Sequence, residues 1–230
     1  MTRPLKVACA VLVLLMSTGI AMGYNFEFTT VSDVVKRVKK TFSEVETYQA
    51  NFVIVSDKLG KKKSQRGTIK FKAPEKLLVD FSSPYGQKII SNGSRMWIYI
   101  PSMNVVADQD LNSDSASLFS SGTRSGLTRL FSKYHYKFDS SDQPETNKDG
   151  EKFYTLFLKQ RETRSGYRTI KLWINEKYFI SRAEGETSSG KKVTIDFSNI
   201  KTGVNLPNGI FKFDIPSKAR VIKNPMLSEE

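Results

Sequence analysis

Between Arg66 and Pro101 the chain reads RGTIKFKAPEKLLVDFSSPYGQKIISNGSRMWIYIP. The two-residue period of this stretch leaves little room for anything but a sheet. Ile69 and Phe71 alternate with Lys70 and Lys72, so their side chains leave the backbone on opposite sides. Leu77, Val79 and Phe81 alternate around Asp80, with Leu78 breaking the pattern. Asn92-Gly93 stands between two apolar runs, the strongest short hairpin signal, and predicts a type I′ turn with both residues at positive φ. The stretch therefore encodes four short strands with one apolar face, and it holds no group able to do chemistry. A curved sheet lined in this way is built to hold something greasy.

Around this centre the rest of the chain organises itself. Val35, Val38, Phe42 and Val45 recur at spacings of three and four, which predicts one helix with Lys36, Arg37, Lys39 and Lys40 on its other face and Ser32 as N-cap. Strand alternation follows in Tyr48, Ala50, Phe52 and Ile54, and Leu59-Gly60 with Lys61-Lys62-Lys63 reads as a solvated turn. From Asp108 to Lys133 the period changes. Leu111, Leu118, Phe119, Leu127, Leu130 and Phe131 are spaced as in short helices broken by Gly122 and Gly126, which predicts a loosely held segment. Strands resume at Tyr134–Phe138, Phe153–Gln160, Tyr167–Ile174, Tyr178–Ala183, Lys192–Phe197 and Phe211–Ile215, with a polar loop over Ser140–Gly150. With no repeat and no composition break, residues 24–230 are expected to form one domain. Its class is mainly β (α+β): an incompletely closed antiparallel β-barrel with a helical lid across its mouth.

Met1 to Gly23 has the form of a secretory signal: Arg3 and Lys6, an apolar run from Val7 to Ile20, then the small-x-small site Ala21-Met22-Gly23 before Tyr24. Cleavage after Gly23 leaves 207 residues without cysteine, because the single Cys9 lies at the start of the apolar run. Nothing remains there to carry a lipid, and a domain of this size can hold itself together without disulfides. The formal charge of +13 falls to +11 when Arg3 and Lys6 go. The basic residues are dispersed along strands (Lys70, Lys72, Lys171, Lys192), the pattern of a solvated sheet face, and export removes most nucleic-acid partners. A positive exterior also favours approach to anionic headgroups or acidic partner surfaces.

Several motifs imitate chemistry. Gly185-Glu-Thr-Ser-Ser-Gly190-Lys191 nearly spells a phosphate loop, but Lys192 replaces the magnesium-binding hydroxyl and the run joins two strands, so it reads as a hairpin loop. Asp108, Asp110, Asn112 and Asp114 resemble the start of a calcium loop, yet Ser113 and Phe119 occupy the required Gly and Glu positions. His135 is the only histidine and lies by alternation opposite Tyr134, Tyr136 and Phe138. One histidine and no mature cysteine remove most catalytic triads and nearly all zinc sites. No catalytic residue, metal or cofactor is expected.

The order Gly67, alternating strand, Pro74, strand ending Ser83-Pro84, then Ile89-Ile-Ser-Asn-Gly93 and Met96-Trp-Ile-Tyr99 resembles the outer-membrane lipoprotein carrier family, LolA. Gly209–Pro216 is similar to that family's closing strand, and the helix-to-strand passage near Phe42–Phe52 extends the likeness over most of the mature chain. The resemblance implies a half-open barrel with a helical lid. It further implies a periplasmic chaperone that shelters the acyl chains of lipoproteins between the inner and outer membranes. Such a protein is loaded by an ATP-driven inner-membrane release complex and unloaded by an outer-membrane acceptor. The chain is expected to act as a monomer. The candidate acyl-binding residues are Phe42, Phe52, Ile69, Phe71, Leu77, Val79, Phe81, Trp97 and Ile98, with Trp97 assigned through the resemblance alone; the candidate lid residues are Leu118, Phe119, Leu127, Leu130 and Phe131. Alternatives are a half-barrel that binds other lipids or senses envelope stress and, least supported, an extracytoplasmic hydrolase. Two departures stand out. Ala73-Pro74 replaces the family's Arg-Pro, whose Arg fastens the closed lid by hydrogen bonds, and Val79 replaces its wall tryptophan. With Lys72 on the wrong face to substitute, a looser lid is expected.

Overall fold

The computed structural model describes residues 29–111, 124–162 and 166–224. Helix α1 (Val31–Glu44) opens it. Its cap is Thr30, not Ser32: the Thr30 hydroxyl accepts from the Asp33 N–H at 3.2 Å, and the Asp33 carboxylate accepts from the Thr30 N–H at 3.0 Å. Only Thr30 has an acidic residue three positions on, so it alone can form this reciprocal box. Hydrogen bonds from Thr30 and the nearby Arg37 and Lys36 charges hold the Asp33 carboxyl below its usual pKa.

Strands β1 (Thr47–Lys58) and β2 (Lys61–Lys72) form a long hairpin, followed by β3 (Lys76–Ser83), β4 (Lys88–Ser91), β5 (Arg95–Ile100) and β6 (Val105–Asp110). Helix α2 (Arg124–Lys133) leads into β7 (Tyr134–Phe138), the short β8 (Glu145–Thr146), β9 (Lys152–Gln160), β10 (Tyr167–Asn175), β11 (Ile180–Thr187), β12 (Lys192–Thr202) and β13 (Arg220–Lys223). The sheet runs β13-β6-β5-β4-β3-β2-β1-β12-β11-β10-β9-β7, with β8 paired to β9. Its ends, β13 and β7, do not meet. This is the incompletely closed barrel the alternation implies, antiparallel throughout except for the parallel β13–β6 pair.

Two local expectations fail for instructive reasons. The β4–β5 turn keeps only Gly93 at positive φ (104°); the Asn92 side chain instead accepts from the N–H groups of Ser94 and Arg95, at 3.0 and 2.9 Å, so its own backbone need not turn left-handed. Phe211–Ile215 is not a strand. A 3-10 turn at Asn208–Phe211 and the chain after it lie across the convex face, where Leu206 and Phe211 bury themselves against Leu78 and Ile90. Pairing puts Leu78 beside Ile90 and Ile90 beside Trp97, so this second small core explains why Leu78 breaks the alternation. The sheet has an apolar patch on both faces.

Candidate functional site

Residues paired directly across an antiparallel sheet share a face. The concave face can therefore be read row by row: Tyr48, Phe71, Leu77, Ser91, Met96 and Gln109; then Ala50, Ile69, Val79, Ile89, Ile98 and Ala107. Phe52 and Phe81 flank Gly67 in a third row, with ring centroids 5.1 Å apart in an edge-on contact. A Cβ on Gly67 would sit 2.0 Å from the Asp80 carbonyl oxygen, so this close approach of β2 and β3 requires glycine.

Helices α1 and α2 pack into the concavity. Val34, Val35, Val38 and Phe42 from α1, and Leu127 and Phe131 from α2, are buried in one cluster with Phe52, Ile69, Phe71, Leu77 and Phe81. Leu156, Leu158, Leu172 and Ile174 join it from the other half of the sheet. Phe42 meets Phe179 at 5.4 Å, Tyr48 stacks on Phe71 at 5.3 Å, and Phe131 touches Tyr136 at 5.8 Å. Burial pushes the Tyr48 phenol far above its ordinary pKa, so it stays neutral. Val79, Ile89, Ile98 and Ala107 form the half-buried remainder of the face. Near its Phe52–Phe81 end a groove of about 590 Å³ opens, lined also by Val53, Arg66 and Tyr85.

Eight of the nine predicted wall residues thus share this concave side with α1 and α2. Trp97 does not. Adjacent residues of a strand face opposite ways, so Ile98 inside requires Trp97 outside, where it packs 6.1 Å from Phe213. Of the predicted lid residues, Leu127 and Phe131 are buried, Leu130 is half-buried, and Leu118 and Phe119 lie outside the described residues.

The fastening of α2 is the feature the sequence did not reveal. Arg124 Nε donates to the Phe42 carbonyl at 3.1 Å, and Nη2 donates to the Val45 carbonyl at 3.1 Å and to the Glu46 carboxylate at 3.2 Å. It thereby satisfies acceptors left open at the C-terminal end of α1. On the other side the Glu75 carboxylate accepts from the N–H and hydroxyl of Ser125, at 3.2 and 3.0 Å, at the positive end of α2. The expected loosely held segment is, over α2, tied to both α1 and the β2–β3 turn. Lys72 and Lys76 reach elsewhere, to the Leu206 carbonyl at 2.8 Å and Asn208 Oδ1 at 3.2 Å. Ala73 packs half-buried against the core. The arginine that ties α2 to α1 stands on α2 itself.

The tempting motifs have other uses. Asp108 is held by Arg95 through two bonds of 3.0 and 2.9 Å. The 185–192 run spans the end of β11, its hairpin loop and the start of β12. His135 is exposed on β7. No cluster of three or more potential metal ligands occurs among the described residues.

Known proteins resemble this chain. The sequence profile of "Outer membrane lipoprotein carrier protein LolA" matches residues 43–214. The chain is 25% identical to an outer-membrane lipoprotein carrier protein of Methylibium petroleiphilum, over 83% of this chain and 90% of that one. It is 28% identical to one from Neisseria meningitidis, over 71% and 75%. The crystal structure of an uncharacterized conserved protein from Thermus thermophilus superposes with a TM-score of 0.56 at 13% identity, covering 84% of this chain and 98% of that one, which shows the fold alone. With the profile covering well over half its length, the chain belongs to the LolA family of outer-membrane lipoprotein carriers.

Proposed function

We propose that this protein is a periplasmic carrier of lipoproteins, moving them from the inner to the outer membrane with their acyl chains against the concave face. The observation that carries this reading is an apolar concave sheet face whose cover is itself a pair of apolar helix faces tied down by a few polar bonds. Exposing an acyl chain of ~16 carbons costs on the order of 12 kcal/mol at ~0.8 kcal/mol per methylene. Unassisted passage through water is then negligible, and a protein surface must stand in for the bilayer.

Release is the harder half of the task. In the closed form the wall is occupied by Leu127, Leu130, Phe131 and the α1 side chains. An incoming acyl chain replaces these contacts instead of filling an empty hole, so loading exchanges one apolar partner for another. The net gain is a small difference between large terms, and the cargo stays releasable. The half-buried row Val79, Ile89 and Ile98 is where an acyl chain first meets the wall. An ATP-driven inner-membrane complex would load the carrier and an outer-membrane acceptor would unload it. The exported form would begin at Tyr24 and act as a monomer.

A fluorescent fatty-acyl probe tests the site. Ile98→Glu places a carboxylate at a half-buried position, where the fold tolerates it and the acyl chain does not. At least a tenfold loss of probe affinity is expected, with unchanged thermal stability. Undiminished binding would remove this face from the proposal. Phe71→Glu is a poorer probe, because Phe71 is fully buried and the fold would fail first.

A further inference from the structure

Among the described residues, the three most exposed large apolar side chains are Leu59 and Tyr85, each 91% exposed, and Met103, 65% exposed. They lie far apart in sequence but at one end of the sheet. The β1–β2 turn, the β3–β4 loop and the β5–β6 turn all connect strands at the end where β1 finishes and β2 begins, as the antiparallel pairing of β1 to β6 dictates. α2 begins at the opposite end, beside Glu75 and the α1 C-terminus.

Leu59 is an improbable choice for solubility alone. It sits at φ +53° in a tight turn with Gly60 at +81°, a position that favours Asn, Asp or Gly. A bulky side chain held in the left-handed region and fully in water invites a functional reading. The charge around it points the same way. Lys58, Lys61, Lys62 and Lys63 flank the turn, and the neighbouring β11–β12 hairpin adds Lys191 and Lys192. Register sets them side by side, with Asp57 paired to both Lys62 and Lys192. The opposing carboxylates are already engaged: Asp57 accepts from the Gly60 N–H at 2.9 Å, and Glu186 lies 3.9 Å from Lys192.

We propose that this end of the barrel docks on an anionic phospholipid surface, with Leu59, Tyr85 and Met103 entering the headgroup region and the lysines pairing with lipid phosphates. An apolar loop tip ringed by cations, with a tyrosine and a methionine exposed at the same end, is what such an interface selects. The surface is separate from the concave wall, so the proposal stands whatever the chain carries.

Vesicle co-sedimentation tests it, comparing purified protein on phosphatidylglycerol–phosphatidylcholine vesicles with vesicles of phosphatidylcholine alone. Binding is expected only with the anionic lipid and should weaken as salt is raised. Lys61→Glu/Lys62→Glu/Lys63→Glu should lower it about a hundredfold, and Leu59→Ser about fivefold or more. Both variants alter exposed positions, and circular dichroism should show them folded. Binding equal on neutral vesicles, or indifferent to the lysine reversals, would overturn the proposal; attachment through an uncleaved Val7–Ile20 run would give that indifference. Loss on charge reversal without loss on Leu59→Ser would also overturn it, because an acidic protein partner would then fit as well.

Discussion

Removing the Arg124 guanidinium should convert a closed carrier into one that opens freely. In Arg124→Ala the two carbonyl bonds to Phe42 and Val45 disappear; the Glu46 contact counts for little, since that carboxylate is 80% exposed. Charge-assisted bonds of this kind contribute about 1.5–3 kcal/mol each before water replaces them, and Arg124 is itself partly exposed, so about 2 kcal/mol for the pair is a fair figure. That corresponds to roughly a thirtyfold rise in the open population. Hydrogen exchange over 124–133 should accelerate by that factor without ligand, and an acyl probe, which takes the wall from α2, should not slow it. Because closure competes with cargo, probe affinity should rise while release slows. Arg124→Lys, which keeps the charge but not the forked geometry, should fall between. Unchanged exchange in α2, or weaker acyl binding in Arg124→Ala, would refute the latch.

Other consequences are equally testable. Gly67→Ala would drive a Cβ into the Asp80 carbonyl, and a loss of about 2–3 kcal/mol is expected in denaturant unfolding because backbone must shift. The α1 cap should depend on acid in a definite direction. Asp33 has a folded pKa below the ordinary carboxylate value of 3.8, so its contribution is present above that value and lost as pH falls through the lower folded pKa. Asp33→Asn should abolish that acid-dependent fraying of the first turn of α1, read by amide exchange. Terminal sequencing of the exported protein should begin at Tyr24 and find no attached lipid.

The concave wall was legible because period-2 alternation is a local signal: Ile69, Phe71, Leu77 and Phe81 were placed correctly from spacing alone. The convex core was not. Leu78 looked like noise and Trp97 like wall, because the segment that covers them, Leu206 to Phe213, arrives from over a hundred residues away. The latch was invisible for the same reason. Arg124 bonds to carbonyls about eighty residues earlier, and a backbone acceptor has no residue type to betray it. The alanine at position 73 could be noticed, but not that Arg124 ties α2 to α1. Ser32 against Thr30 was decided by a side-chain pair that the capping-box spacing encodes, and that signal was available.

Site-specific photo-crosslinking in cells reaches the central claim most directly. A benzophenone amino acid at position 98, on the half-buried concave row, should crosslink to acylated proteins identified by mass spectrometry. The same probe at position 97 faces the convex core and should give none. Lipoprotein adducts absent at 98, or equally abundant at 97 and 98, would contradict the assignment of the concave face as the cargo surface.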